Sequence, residues 1–191
     1  MSDKFLSNLI FISIVLILGI TLTALAGALP GIVQADPAKD QNGIEVRLRG
    51  LENREEIRRL LLDYGRFLDQ RNFAAFSQLF AEKEGEWIGG MGKAKGPQAI
   101  RKLMEDSIGI KSDGSNFHLF TNEIIDITGD RAAANTKWIF VIRGDANRPQ
   151  PVYLGHYEDL LIKENGKWKF LRRVAYSDIP ADNPSKRTTG Y

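Results

Sequence analysis

Cysteine is absent from the 191 residues. That excludes disulfides, thiolate nucleophiles and cysteine-based metal sites. Histidine is scarce, with only His118 and His156 present. The two have no metal-ligand spacing, so neither a metal nor a cofactor is expected. A surplus of one charge is also missing. The formal net charge is +2, and a nucleic-acid footprint needs Lys and Arg clustered on one face. No Walker-type glycine loop or dinucleotide fingerprint occurs. Gly89-Gly90-Met91-Gly92 is glycine-rich but lacks the strand-to-helix setting such loops require. The serines show no nucleophile elbow. Internal repeats and low-complexity tracts are lacking too.

One long apolar run is present, from Leu9 to Leu29, without a charge. Lys4 precedes it, and Val33-Gln34-Ala35 follows, just before Asp36. A basic start, an apolar middle and a small-x-small end form an export signal over residues 1–35. The run is also long enough to span a bilayer, which takes about 20 residues. A retained N-terminal anchor is therefore the alternative to cleavage. Both readings put the remaining chain outside the cytoplasm, periplasmic, secreted or anchored. Any membrane contact would come through this segment alone.

Residues 36–45 read as a polar linker and residues 46–177 as one domain. The first helix is expected from Leu51 to Asp69, with Ile57, Leu60, Leu61, Tyr64 and Leu68 as its buried stripe. Asn53 and Glu56 resemble a capping pair. Asn72 should cap a second helix, Phe73–Phe80, and Gly96-Pro97 should open a third, Gln98–Ser107. A short strand falls at Trp87–Met91. Four longer strands follow, at Phe117–Ile127, Ala132–Arg143, Val152–Lys163 and Lys167–Tyr176. Residues 178–191 read as a loose tail. Helices segregated from a run of antiparallel strands define the α+β class.

Asp69 directly follows an apolar helical stripe, where a carboxylate can work as acid or base. Capping a helix end is its plainer role. Tyr64 lies five residues earlier, roughly 140° around an ideal helix, so the two share no face unless the helix ends near Asp69. His118 shares a strand face with Phe120, Asn122 and Ile124 by alternation. It reads either as a working base or as a core histidine with a partner. His156 reads as structural. Trp87, Trp138, Phe140 and Tyr157 are candidate pocket walls, and also ordinary core. Arg172 or Arg173 should pair with Asp159 or Glu158 across the sheet.

Three motifs in order carry a family resemblance. The first is Ile57-Arg58-Arg59-Leu60-Leu61-Leu62-Asp63-Tyr64-Gly65-Arg66-Phe67-Leu68-Asp69, with Asn72-Phe73 after it. The second is His118-Leu119-Phe120-Thr121-Asn122, then Ile127-Thr128-Gly129-Asp130-Arg131-Ala132. The third is Gly155-His156-Tyr157-Glu158-Asp159-Leu160, running to Asn165-Gly166-Lys167-Trp168. Together they resemble the SnoaL-like branch of the nuclear transport factor 2-like superfamily. In site pattern they are most similar to its scytalone dehydratase and bile-acid 7α-dehydratase types.

The resemblance implies a cone-shaped roll, a curved antiparallel sheet wrapped around about three helices with a cavity at its open end. It implies His118 and Asp69 as a proton-abstracting pair and Tyr64 as a donor to a substrate oxygen. Trp87, Asn122, Trp138, Phe140 and Tyr157 would contact a small, mostly apolar cyclic molecule, and the reaction would be dehydration or isomerisation. The chain also departs from the pattern. Trp138 or Phe140 stands where scytalone dehydratase has a second cavity histidine, and Tyr157 where it has an asparagine. A non-catalytic ligand-binding module, or a homodimer formed through the sheet, is the alternative. The catalytic reading fails if His118 and Asp69 lie beyond hydrogen-bond reach or if side chains fill the cavity. An open apolar pocket without the pair favours binding.

Overall fold

The computed structural model describes residues 37–180, with side chains from residue 41. The expected leader and nearly all of the expected tail lie outside the described residues. Three helices are α1 (Pro37–Asp69), α2 (Phe73–Ser77) and α3 (Pro97–Ile108). Six strands are β1 (Glu86–Gly89), β2 (Gly92–Lys95), β3 (Asn116–Thr128), β4 (Arg131–Arg143), β5 (Pro149–Glu164) and β6 (Lys167–Ile179). The fold is α+β, with one curved, open six-stranded sheet.

α1 buries the stripe read from the sequence: Ile57, Leu60, Leu61, Tyr64 and Leu68 are all shielded from solvent. It begins earlier than expected. Pro37–Gly43 is helical rather than a linker, because proline is tolerated in a first turn. The side chains of residues 41–50 are exposed, so a solvated helix looked like a linker. Asn53 is therefore mid-helix and no cap. Its Oδ1 accepts from Lys163 Nζ at 2.7 Å and from Trp168 Nε1 at 3.1 Å, tying α1 to the β5–β6 hairpin.

At its far end α1 closes with bonds from Gln70 N–H to Arg66 O (3.0 Å) and Asn72 N–H to Phe67 O (2.9 Å). Arg71 takes the left-handed conformation, φ 57°, that turns the chain. Asn72 then caps α2 as expected, its side chain accepting from Ala75 N–H at 3.1 Å. α2 is shorter than expected, and Phe80 instead bridges to Phe170 beside β6.

The sheet order is β2-β1-β6-β5-β4-β3. All pairings are antiparallel except β1 with β6, which is parallel. That pairing departs from the all-antiparallel expectation. β1 enters from the helical segment and lies beside the last strand instead of its sequence neighbours. β2 was not expected, since Gly92-Lys93-Ala94-Lys95 has no apolar alternation. Register shifts interrupt the pairing of β3 with β4 (between Thr121 and Ile124) and of β4 with β5 (at Phe140/Val141, where Val152 of β5 is skipped). They also interrupt the pairing of β5 with β6, at Leu154/Gly155 and Leu160/Leu161, where Asp178 and Leu171 of β6 are skipped. Bulges of this kind bend a strand and increase its twist, which curves the sheet around α1.

The concave side carries the core: Trp87, Phe76, Phe80, Phe170, Ile100 and Met104 are fully buried. Two glycines permit its closest approaches. A methyl group at Gly65 would collide with the Phe120 ring and lie 3.3 Å from His118 Cβ, so the missing side chain lets α1 rest on β3. A methyl group at Gly155 would overlap the Tyr176 carbonyl oxygen and the Trp138 indole. A backbone oxygen held in the sheet cannot step aside. Gly155→Ala is therefore expected to lower stability by about 1–3 kcal/mol, the usual cost of overpacking. Thermal unfolding by circular dichroism checks this, and an unchanged midpoint would contradict it.

Candidate functional site

Asp69 is the last residue of α1, so its carboxylate projects from the helix end toward β3. Its Oδ2 accepts the His118 backbone N–H at 2.8 Å. Its Oδ1 meets His118 Nδ1 at 2.6 Å and accepts from Asn116 Nδ2 at 2.8 Å. Asn116 and His118 are two residues apart on β3 and so share a face. Asn116 Oδ1 in turn accepts from Arg71 Nη2 at 3.3 Å, and Arg71 Nη1 donates to Leu68 O at 2.8 Å. The carboxylate is thus held by three donors from one strand.

An ionised carboxylate only accepts, so the His118 Nδ1 facing it carries the proton. The lone pair then sits on Nε2, which has no hydrogen-bond partner among the described residues. A carboxylate behind Nδ1 fixes the ring and stabilises the imidazolium when Nε2 takes a proton. The His118 side chain is 12% exposed and that of Asp69 17%. The pair lies at the rim of the concave face, shielded but reachable. Phe140 packs beside the imidazole, with ring centroids 4.7 Å apart, and Trp138 stands at 6.3 Å.

Tyr64 belongs to a second, deeper polar cluster. Its hydroxyl accepts from Trp87 Nε1 at 2.9 Å. Its ring meets Tyr157 edge-on at 5.4 Å. The Arg173 guanidinium lies 4.0 Å from the Tyr64 ring centroid and 4.1 Å from that of Tyr157. Arg173 also binds Asp159 through two 2.7 Å bonds, both side chains fully buried. Burial pushes the Tyr64 hydroxyl pKa up, with Arg173 pulling the other way. Burial likewise raises that of Tyr157 well above the ordinary phenol range, with Tyr64 adding to it.

The Asp159–Arg173 partners pull in opposite senses. Burial raises the Asp159 pKa against the attraction of Arg173. Burial also opposes the charge on Arg173, but Asp159 outweighs it and holds the guanidinium proton more firmly than usual. Arginine stays protonated at any working pH, and both carboxylate oxygens face it at bonding distance. The pair is ionic.

The structure therefore brings His118 and Asp69 together and leaves Tyr64 apart. Trp138 and Tyr157, stacked at 5.7 Å, stand between them. Trp87, Trp138, Phe140 and Tyr157 all lie on the concave side. Asn122 does not. It sits in the β3 bulge with φ 55°, exposed, accepting from Thr121 Oγ1 at 2.9 Å. The bulge inverts alternation, so Ile125 rather than Ile124 is buried beyond it. His156 is on the outer face, 2.8 Å from Asp178 and stacked on Tyr176, a structural role. Asn116 and Arg71 escaped the sequence reading, although Asn116 precedes His118 by one strand period. The choice among Arg172, Arg173, Asp159 and Glu158 resolves to Arg173 with Asp159. Arg172 instead approaches Glu86 at 3.5 Å.

The concave side is closely packed with aromatic rings. Two concavities of about 370 and 280 Å³ lie elsewhere. The larger is on the outer sheet face, lined by Ile124, Asp126, Asn135, Glu158, Leu160 and Arg172. The smaller lies where β3 meets the end of β4, lined by Phe117, Val141, Arg143 and Arg148. Neither is lined by Tyr64, Asp69 or His118. Among the described residues no group of three or more His, Asp or Glu side chains could hold a metal.

A family model described as a SnoaL-like domain matches residues 49–174. No curated protein sequence matches the chain. Solved structures share its fold. An NTF2-like protein with a cystatin-like fold from Novosphingobium aromaticivorans is 24% identical, over 76% of this chain and 90% of its own, with a TM-score of 0.61. A scytalone dehydratase candidate from the same organism is 28% identical, over 73% and 87%, with a TM-score of 0.54. A hexachlorocyclohexane dehydrochlorinase of LinA type 3 from Novosphingobium barchaimii is 19% identical, over 69% and 90%, with a TM-score of 0.58. At that identity the last likeness is one of fold alone.

Proposed function

The chain belongs to the SnoaL-like family, and from that premise we propose that it binds a small, mostly apolar cyclic molecule and catalyses an elimination or isomerisation on it. The observation that carries this is the Asp69–His118 contact, 2.6 Å from carboxylate to Nδ1, which leaves Nε2 as an oriented base. Nε2 removes a proton from a substrate carbon. In elimination the freed electron pair becomes a double bond and a leaving group departs from the neighbouring carbon. In isomerisation the imidazolium returns the proton elsewhere on the same molecule.

Two structural neighbours bear the names of elimination enzymes, a dehydratase and a dehydrochlorinase. Both reactions begin by taking a proton from carbon. Trp138, Phe140 and Tyr157 supply the apolar walls. Tyr64 accepts from Trp87 and adjoins Tyr157, so its place is the floor of the site. These rings pack against one another and neither concavity opens among them, so a ligand reaches Nε2 only if Phe140 and Tyr153 move aside. A site that stays filled sinks the catalytic reading. The Phe140 and Tyr153 rings are 6.4 Å apart, and Tyr153 is exposed at the rim. Residues 1–35 carry the chain out of the cytoplasm in this reading. The mass of the protein recovered from cells shows whether they are removed.

A second reading, a non-catalytic module that dimerises, draws on the outer sheet face. Ile124, Leu154 and Leu160 are exposed there, as are Phe117 and Leu119 along β3. Apolar side chains grouped on one face mark an interaction surface. A thermal-shift screen of cyclic ketones, alcohols and halides against wild type and His118→Ala separates the readings. Shared stabilisation by one compound, with turnover by wild type only, supports catalysis. Shared stabilisation without turnover supports the binding module. A dimer in sedimentation with no stabilising compound supports the outer-face reading and sinks the first.

A further inference from the structure

The chain has three tryptophans, and their indole N–H groups differ in one respect. Trp87 Nε1 donates to Tyr64 Oη at 2.9 Å and Trp168 Nε1 donates to Asn53 Oδ1 at 3.1 Å. Trp138 Nε1 is buried and has no hydrogen-bond partner. Trp138 as a whole is only 8% exposed. Thr136 Oγ1 is likewise buried and unpartnered. It lies two residues earlier on β4 and so on the same concave face.

Buried polar groups nearly always find a partner. Among the described residues four buried side-chain atoms lack one. Two of them, Arg71 Nε and Arg173 Nη1, belong to guanidinium groups bonded through their other nitrogens. That leaves Trp138 Nε1 and Thr136 Oγ1 to explain. Packing does not force the first of these. Trp138 stacks on Tyr157, its indole covers the bare backbone of Gly155, and its ring stands 6.3 Å from His118. A phenylalanine would supply an aromatic wall without stranding a donor. What the indole adds is one N–H within the same aromatic layer as the base.

We propose that Trp138 Nε1–H is the oxygen-recognising donor of the site, with Thr136 Oγ1 as an auxiliary polar group. The ligand class it selects is a cyclic molecule bearing a carbonyl or other acceptor oxygen, with an acidic C–H on the side facing His118. A donor to that oxygen favours the electron density that gathers there when a neighbouring carbon loses its proton. This rests on the base assignment to His118, but its test is separate.

The test uses the matched pair 1-tetralone and tetralin, which differ in one carbonyl oxygen. Each is titrated at millimolar concentration into the ¹⁵N-labelled protein, and the three indole N–H resonances are followed by NMR. Trp138→Phe assigns the signal, and its thermal unfolding shows that the variant folds. Tetralone is expected to move the Trp138 proton downfield and slow its hydrogen exchange, with Trp87 and Trp168 unchanged as internal references. Tetralin should leave the Trp138 shift nearly in place. Trp138→Phe should lose the preference for ketone over hydrocarbon, about tenfold in Kd. Should ketone and hydrocarbon move Trp138 alike, or move only Trp87 and Trp168, the donor assignment falls while the ligand-binding reading stands. Should neither compound move any indole or aromatic resonance, both fall.

Discussion

Asp69→Asn is expected to lower turnover about 10³–10⁴-fold while leaving the fold intact, because it reverses the tautomer of His118 and does not remove it. The carboxylate accepts from His118 N–H, His118 Nδ1 and Asn116 Nδ2. An asparagine amide has one oxygen and one nitrogen in place of two oxygens. If the oxygen keeps the backbone N–H of His118, the NH₂ faces Nδ1 and donates to it. The ring proton then moves to Nε2, and the base is lost although every side chain stays near its place. His118→Ala removes the base outright and should cost at least as much. General-base catalysis supplies about 10²–10⁴-fold, so a loss of only a few-fold in either variant would end the assignment. Steady-state kcat on a substrate found by the screen is the measurement, with circular dichroism to confirm folding. A conformational role for Asp69 would lower both variants' melting points and leave kcat alone.

The parts of this site that were legible in the sequence are those set by local periodicity. The stripe of α1 follows from three- and four-residue spacing, and it fixed where Asp69 leaves the helix. The β3–β4 and β5–β6 hairpins follow from Gly129-Asp130 and Asn165-Gly166, where Gly129, Asn165 and Gly166 all have positive φ. What failed was alternation carried across an irregularity. His118 and Phe120 face inward as expected, but the bulge after Thr121 turns Asn122 out and brings Ile125 in. Asparagine tolerates the left-handed conformation, so the residue that looked like a ligand contact is the one that lets β3 bend. Tyr64 and Asp69 illustrate the other limit. Five residues on a helix give about 140° and about 7.5 Å of rise. That separation, plus the Trp138–Tyr157 stack between them, yields two polar centres where one was expected. The extension of α1 before Leu51 was hidden for a different reason. Residues 41–50 are exposed, so that stretch of the helix has no stripe to read.

Those two centres make the buried pair beneath the floor the more consequential for stability. Arg173→Met should destabilise the protein by about 3–5 kcal/mol, because it leaves the Asp159 carboxylate in the core without a counter-charge. Methionine keeps most of the volume, so the loss is chiefly electrostatic. The effect should be far larger than for an exposed pair such as Arg101–Glu105, at 2.7 Å on α3, which is worth about 0–1 kcal/mol. The double variant Arg173→Met with Asp159→Leu removes both charges and should recover most of the loss, since an apolar replacement of a buried pair is often neutral. Denaturant unfolding of wild type, both single variants and the double variant closes the cycle. A single-variant loss below about 1 kcal/mol, or a double variant no better than the worse single, would contradict it. The site should feel the change as well. Arg173 lies against the Tyr64, Tyr157 and Phe170 rings at 4.0–4.1 Å and pulls the Tyr64 hydroxyl pKa down. Without it the rings lose a shared support, and the Tyr64 pKa climbs further as burial acts unopposed by that charge. The double variant, folded but lacking the guanidinium, should therefore bind cyclic ligands more weakly than wild type while its His118–Asp69 pair remains formed.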